Sequence, residues 1–239
     1  NVHGCGRDNS FRRILGRAGR SGVFLYMSKK GNTVFFKNKP RIVSYAAICG
    51  SKEKTGVIGE FADITLEDDM YEESTYEKAE CKMLTNAISL AIEKGGLNEK
   101  DIDVLFSGDL LNQIISASFA ARDYSFPFLG VYSACSTMSE SIMLAAMLVN
   151  AGYVKHAVAA TGSHFASAER QYRYPLELGC TRPPQAQWTV TGAGGCVIAD
   201  VKNGVKITSA TMGRVCDYGV TDVNNMGAAM APVNGIIPP

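Results

Sequence analysis

No apolar run in this 239-residue sequence approaches the roughly 18–20 residues that crossing a bilayer takes; the longest, residues 142–149, is under half that. A transmembrane anchor is not expected. Histidine occurs three times and no CxxC pair is present, so a zinc site of the usual Cys/His kind is not expected either. The seven cysteines are odd in number and irregularly spaced. Several sit inside apolar runs (Cys49, Cys81, Cys196), which suits reduced, buried thiols rather than a disulfide framework. An excess of one charge is missing as well. Twenty-four Lys and Arg against 23 Asp and Glu leave +1, too little to hold a nucleic-acid backbone along the chain.

What is present is the composition of an ordinary globular domain, 46% hydrophobic and 20% charged. The near-zero charge hides an asymmetry. Residues 1–26 carry Arg7, Arg12, Arg13, Arg17 and Arg20 against Asp8, a net +4, so the remainder sums to −3. This opening stretch mixes Gly, Arg and Ser without helical or strand periodicity and lacks the apolar core of a secretory signal. Met27-Ser28-Lys29-Lys30 reads like a natural start. Residues 1–26 are therefore expected to be an appended leader, through translation upstream of the true initiator or as a basic disordered tail, and residues 27–239 the domain.

Residues 41–49, RIVSYAAIC, have the β-branched, apolar character of a buried strand running into a Gly-containing loop at 50–59. The acidic stretch after it (Glu67, Asp68, Asp69, Glu72, Glu73) is expected to be a solvated loop. Over 76–93, Met83, Leu84, Ala87, Ile88, Ala91 and Ile92 recur at three- and four-residue steps, predicting an amphipathic helix that Gly95-Gly96 ends. A cap and turn at 97–101 lead to a strand at 102–106. The alternation continues with helix 112–122, strand 126–132, helix 136–151 and strand 155–161. Strands 196–201 and 205–212 are expected to pair through the turn Lys202-Asn203-Gly204. This rhythm predicts one α/β domain built on βαβ units.

One helix is unusual. Residues 141–149, SIMLAAMLV, are apolar around the whole circumference, whereas a helix on the outside of a domain keeps a polar face. It is expected to be buried on all sides, and since a single sheet covers only one side, this calls for a second layered unit that these 239 residues do not obviously contain.

The turn before it, Ser133-Ala134-Cys135-Ser136, puts a cysteine at a helix N-terminus, where unpaired N–H groups favour a thiolate. Cys135 is then a nucleophile or part of an anion pocket; a small buried hydrophobe is the equally weighted alternative. Asp109 and Asn112, at another strand end, orient a pocket or chelate calcium, or more simply cap the following helix. After strand 155–161, residues 164–175 supply His164, Arg170, Arg173, Tyr172 and Tyr174 where α/β folds place ligands. The plain alternative is that Arg170 and Arg173 pair with Glu169 and Glu177 on a surface loop. His156 reads as structural, Trp188 as a spectroscopic reporter in a polar loop, and Gly192–Gly195 lacks the spacing of a nucleotide loop.

The order of Ser133-Ala134-Cys135-Ser136, Ala159-Ala160-Thr161-Gly162-Ser163 and Thr191-Gly192-Ala193-Gly194-Gly195 is similar to that of the thiolase and ketoacyl-synthase superfamily. Within it, Ser107-Gly108-Asp109-Leu110-Leu111-Asn112-Gln113, Ser136-Thr137-Met138-Ser139-Glu140, Ser163-His164-Phe165-Ala166-Ser167 and Ile207-Thr208-Ser209-Ala210-Thr211-Met212 strongly resemble the stage V sporulation protein AD family of endospore-forming Firmicutes, from about residue 34 to 232. The resemblance implies an α/β thiolase-like fold, a layered αβα arrangement with a mixed, mainly parallel sheet, of which this chain looks like the first half. It implies binding rather than turnover: no cofactor and no bound metal, but dipicolinic acid, with calcium as its chelate, as ligand. The implied ligand set is Cys135, Ser136, His164, Arg170, Arg173, Asp109 and Asn112. The implied partners are the other SpoVA proteins, at the inner membrane of the spore and active in sporulation and germination, with a homodimer as a further expectation. Nucleic acid is not among them. An acyltransferase or condensing enzyme using Cys135 is the competing reading.

Overall fold

The computed structural model describes residues 28–172 and 188–214, with Gly219 and Thr221. The leader 1–26, Arg173 and Tyr174 lie outside the described residues, as does the side chain of Arg170. The elements run β1 (Ser28–Lys30), β2 (Thr33–Phe35), β3 (Arg41–Cys49), α1 (Ser51–Lys54), β4 (Ile64–Thr65), α2 (Tyr76–Lys94), β5 (Val104–Gly108), α3 (Ile115–Ala121), β6 (Phe128–Gly130), α4 (Thr137–Ala151), β7 (His156–Ser163), α5 (Phe165–Tyr172), β8 (Gly192–Ala199), β9 (Val205–Lys206) and β10 (Ser209–Thr211). The central sheet has the order β4-β3-β8-β7-β5-β6, with β9 paired to β3. Strands β5, β6 and β7 are mutually parallel, and β8 runs antiparallel to both of its neighbours. This is the mixed, mainly parallel sheet that the sequence predicts.

Helices cover both faces. Strand β7 is therefore buried along almost its whole length instead of alternating, as a doubly covered strand must be. On one face α2 lays Met83, Leu84, Ala87, Ile88, Ala91 and Ile92 against Ala46, Ile48, Val158 and Val197. Its N-terminus is capped by Thr75, whose side chain accepts the Lys78 N–H, and Gly96 takes the left-handed φ of +67° just past its end. On the other face α4 sets Ala145 and Val149 against Val104, Phe106, Ala157, Ala159 and Ile198.

Helix α4 is covered only in part by the described residues: Thr137, Ser141, Ala145, Ala146, Val149 and Asn150 are buried, whereas Met138, Ile142, Met143, Leu144, Met147 and Leu148 keep part of their surface exposed. Among the described residues, further cover beyond the main sheet comes from a separate sheet, β1-β2-β10, where Val34 and Ala210, with Phe36 and Met212 just past the strand ends, gather around Ala146 and Met147. By length and composition the helical stretch Ala134–Ala151 is apolar enough to cross a membrane, at a mean hydropathy of 1.2; a core helix passes the same test, and here it packs on β7, β5 and β8. An unbroken apolar run misses it because Ser and Glu interrupt the stretch.

Residues 196–201 and 205–212 do not form a hairpin. Strands β8 and β9 lie on opposite sides of β3, so that Arg41 pairs with Ala199 on one side and Lys206 on the other. The link passes tightly over β3: a Cβ on Gly204, at φ +110°, would overlap the Ile42 carbonyl. The helix expected over 112–122 opens as a 3-10 turn (Asn112–Ile114), because Gln113 and Ile114 hold left-handed φ values of 60° and 48°. The acidic stretch is only partly solvated, since Asp69 is half-buried and accepts hydrogen bonds from the Ser51 N–H and Oγ.

Candidate functional site

Strands β3 and β7 both end where β8 begins, and the register puts Gly192 between Cys49 and Ser163. Side chains are small there. A Cβ on Gly192 would stand 2.6 Å from the Ile48 carbonyl oxygen, so glycine lets the strands close up and leaves room above them. That room is a cleft of about 940 Å³, floored by Thr161, Gly162, Ser163, Gly192, Ala193 and Gly194. Ala134, Cys135 and Met138 form one wall; Ile58, Phe61, Trp188 and Val190 form the opposite rim. A second hollow of about 640 Å³ lies between α2 and α3 under a charged surface, away from the strand ends.

Cys135 reaches the cleft through a bent connection. Strand β6 stops at Gly130, Val131 N–H bonds the Ser107 carbonyl at 2.9 Å, and Ala134 adopts a left-handed φ of 44° before a 3-10 turn enters α4. A non-glycine residue at such a φ is strained, and strain of this kind is retained where surrounding structure imposes it. Gly108 makes the bend feasible, because any Cβ there would overlap the Val131 carbonyl oxygen. Cys135 itself is exposed on the cleft wall, which removes the buried-hydrophobe alternative. Ser136 does not line the cleft; its hydroxyl closes the turn on the Ser133 carbonyl at 2.8 Å.

The other expected residues are distributed differently. His164 is fully buried, with Nε2 bonded to the Asp69 carbonyl at 2.8 Å and Nδ1 accepting the Ala166 N–H at 3.1 Å. Nδ1 as acceptor fixes the neutral Nε2–H form, and burial lowers its pKa further. An imidazole so occupied has no nitrogen for a ligand. Asp109 is also buried and caps the turn into α3, its Oδ1 accepting from Leu111 N–H and Oδ2 from Ala117 N–H, both at 2.7 Å. Burial raises its pKa while those bonds oppose the rise. Asn112 is exposed and accepts the Tyr132 hydroxyl at 3.3 Å. Of the expected set, the described side chains bring only Cys135 to the cleft wall. His156 Nδ1 lies 2.9 Å from the Asp101 carbonyl, at the start of β7.

Three cleft residues were not singled out by sequence: Glu53, Cys49 and Trp188 as a lining group. Glu53 stands on the short helix α1, inside what reads as a featureless Gly-rich loop. Its Oε1 accepts the Thr191 N–H at 3.1 Å. The Cys49 thiol at the strand end is pushed up chiefly by burial and then by the Glu53 carboxylate, against the opposing charge of Lys54. Among the described residues, no group of three His, Cys, Asp or Glu is arranged to hold a metal ion.

The sequence has relatives with this segment order. The family model for stage V sporulation protein AD matches residues 30–236. The chain belongs to that family. Stage V sporulation protein AD of Bacillus subtilis (strain 168) is 43% identical over 200 residues, which cover 84% of this chain and 59% of that protein. The chain thus spans less than two thirds of the length of its curated relative. Among solved structures, an OleA variant of Xanthomonas campestris superposes with a TM-score of 0.48 at 13% identity, over 69% of this chain and 57% of that one. The 3-oxoacyl-[acyl-carrier-protein] synthase III of Aquifex aeolicus VF5 gives 0.42 at 13% identity, over 69% and 55%.

Proposed function

We propose that the cleft binds a small planar dicarboxylate, dipicolinic acid free or as its calcium chelate, and that the chain acts by binding rather than by turnover. On this reading it serves the SpoVA transport machinery, peripheral to the inner membrane of the spore. The observation that carries the reading is the cleft at the strand ends, whose volume of about 940 Å³ suits a small molecule. A flat aromatic ring fits between its glycine floor and the rim of Trp188, Phe61 and Ile58. The carboxylates need planar bidentate donors, a role assigned to Arg170 or Arg173, which follow the end of β7 in the chain. His164 is left out because both of its nitrogens are bonded.

Calorimetry with pyridine-2,6-dicarboxylate, with and without calcium, tests this on the full chain and on Arg170→Ala and Arg173→Ala. Losing a charge-assisted contact costs about 1.5–3 kcal/mol, so at least one variant should bind ten-fold or more weakly. No binding of either form to the unmodified chain would overturn the proposal.

A second reading has its own observation: Cys135 is exposed on the wall of an apolar cleft, preceded by the strained Ala134. A thiol so placed can accept an acyl group from a coenzyme A thioester, with coenzyme A leaving as the thiol. Intact-mass analysis after incubation with acetyl-coenzyme A separates the two. An acyl adduct on Cys135 with steady release of product favours the enzyme; no adduct favours binding.

A further inference from the structure

Three helices meet at one buried carboxyl group. Glu80 on α2 is fully enclosed, and its Oε2 accepts a hydrogen bond from the Ser167 hydroxyl of α5 at 2.6 Å. Oε1 is buried with no partner. The Ser116 hydroxyl of α3 lies near enough to act on the group but completes no hydrogen bond. The charged groups that act on it, Asp109 from the turn before α3 and Glu77 one turn back on α2, are both acids. His164, just before α5, is held neutral by its two hydrogen bonds. Among the described residues, an ionised Glu80 would thus have one donor and no counter-charge, which a packed interior does not sustain. The neutral acid is the form that fits, and burial accordingly raises the pKa to about 8.

Of the three helices, α5 is the least fastened to the sheet. Helices α2 and α3 put Met83, Leu84, Ala87, Ala117 and Ala120 into the apolar cluster there, whereas no described side chain of α5 belongs to it. Yet α5 is built into the wall of the cleft. Glu169 Oε1 accepts the Thr189 N–H at 2.8 Å, and the Phe165 N–H donates to Thr191 Oγ1 at 3.1 Å. The Phe165 ring centroid stands 5.2 Å from that of Trp188. Since Trp188, Thr189 and Val190 line the cleft, a continuous set of contacts runs from Glu80 through α5 to its aromatic rim.

We propose that the proton on Glu80 is a latch on the cleft: while it is in place α5 stays seated on α2 and holds the Trp188 rim, and its release to solvent lets α5 lift and the rim open. An ionised carboxylate must be reached by water. Helices α2 and α3 are held down by apolar burial, so water gains access by displacing α5. Glu169 and Phe165 move with that helix, and the rim loses the contacts that fix it. The direction is set by the neutral form being the seated one: the cleft is closed at mildly acidic and neutral pH and opens as the pH rises past about 8. The latch governs access for whatever molecule the cleft takes and does not rest on the dicarboxylate reading.

Trp188 is the one tryptophan of the chain, so its quenching by acrylamide reads the rim directly. The full chain is measured between pH 6.5 and 9, a range above the titration of His164, with far-UV circular dichroism alongside. The quenching constant should rise about two-fold with a midpoint near 8, while the dichroism stays the same. Hydrogen exchange, corrected for its intrinsic pH dependence, should show α5 losing protection over the same range and α2 keeping it. Glu80→Gln keeps an oxygen for Ser167 and cannot ionise, so its constant should stay flat at the low value. Ser167→Ala, which serves also if Glu80→Gln does not fold, removes a bond that favours the charged form and should move the midpoint upward. A flat constant in the unmodified chain, the same rise in Glu80→Gln, or an unmoved midpoint in Ser167→Ala would overturn the latch. So would a rise that comes with loss of dichroism, which is general unfolding.

Discussion

Ser167 on α5 donates a hydrogen bond across 2.6 Å to Glu80 Oε2 on α2, and both side chains are buried. This contact ties the element that follows β7 to the helix that covers the sheet. Burial pushes the Glu80 carboxyl up to about 8, the negative charges of Asp109 and Glu77 add to the rise, and the Ser167 bond opposes it. At neutral pH Glu80 is therefore largely the neutral acid, the form that a packed interior tolerates.

The sign of the resulting pH dependence follows. The folded pKa lies above the ordinary value of 4.5, so the native state holds a proton that the unfolded chain releases. The contribution of Glu80 is fully present below about pH 4.5 and is lost as the pH rises toward 8, at about 1.4 kcal/mol per unit. Glu80→Gln, neutral at every pH, should lack this slope. Urea unfolding of both proteins at pH 5, 6, 7 and 8 measures the difference. Parallel curves would mean that Glu80 is ionised in the native state.

His164 acts in the opposite direction. Its pKa is lowered by burial, so its contribution is present above the ordinary 6.5 and is lost as the pH falls below that. His164→Gln retains an N–H donor for the Asp69 carbonyl, but its amide fits the Ala166 N–H less well. It should cost about 1–3 kcal/mol of stability while leaving dicarboxylate affinity within about two-fold. A ten-fold loss of affinity with unchanged stability would return the histidine to the ligand site.

The strands, the helices and the elbow at Cys135 were legible because each rests on a local period or a glycine. Residues 41–49 coincide with β3, and the 76–93 pattern falls one residue short of the end of α2. What could not be read depends on contacts distant in sequence. His164 has the composition of an anion ligand, and only the fold shows the Asp69 carbonyl, 95 residues away, taking its Nε2. Glu53 gave no signal, since a short helix of SKEK composition has no apolar face and the partner that positions it, Thr191, is 138 residues on. The misread hairpin has the same cause: Lys202-Asn203-Gly204 is good turn chemistry, but β3 inserts between the strands it was expected to join.

Asp109 carries a prediction of stability. Its two oxygens satisfy the N–H groups of Leu111 and Ala117 in a buried position, across the left-handed pair Gln113 and Ile114. Asp109→Ala leaves two donors without a partner and should destabilise by about 2–4 kcal/mol, at about 1–3 kcal/mol for each buried group less some relaxation. Asp109→Asn keeps an acceptor and should lose roughly half as much. Denaturant midpoints measure both; a loss below about 0.5 kcal/mol in Asp109→Ala would show that water replaces the cap.

The sequence contains one tryptophan, so its fluorescence reports on a single wall of the cleft. Trp188 is 40% exposed, with Lys52 Nζ 3.7 Å from its ring centroid and the Phe165 ring centroid at 5.2 Å. The ammonium over the ring face is worth about 0.5–1 kcal/mol at such a site, and it also shields that face from collision. Lys52→Ala removes both the charge and the stem, so acrylamide should quench Trp188 more strongly in the variant. A molecule lying against the rim covers the other face. Saturating the cleft with pyridine-2,6-dicarboxylate and calcium should therefore lower the quenching constant in both proteins. A constant that stays the same at saturation would place the bound molecule away from the Trp188 wall.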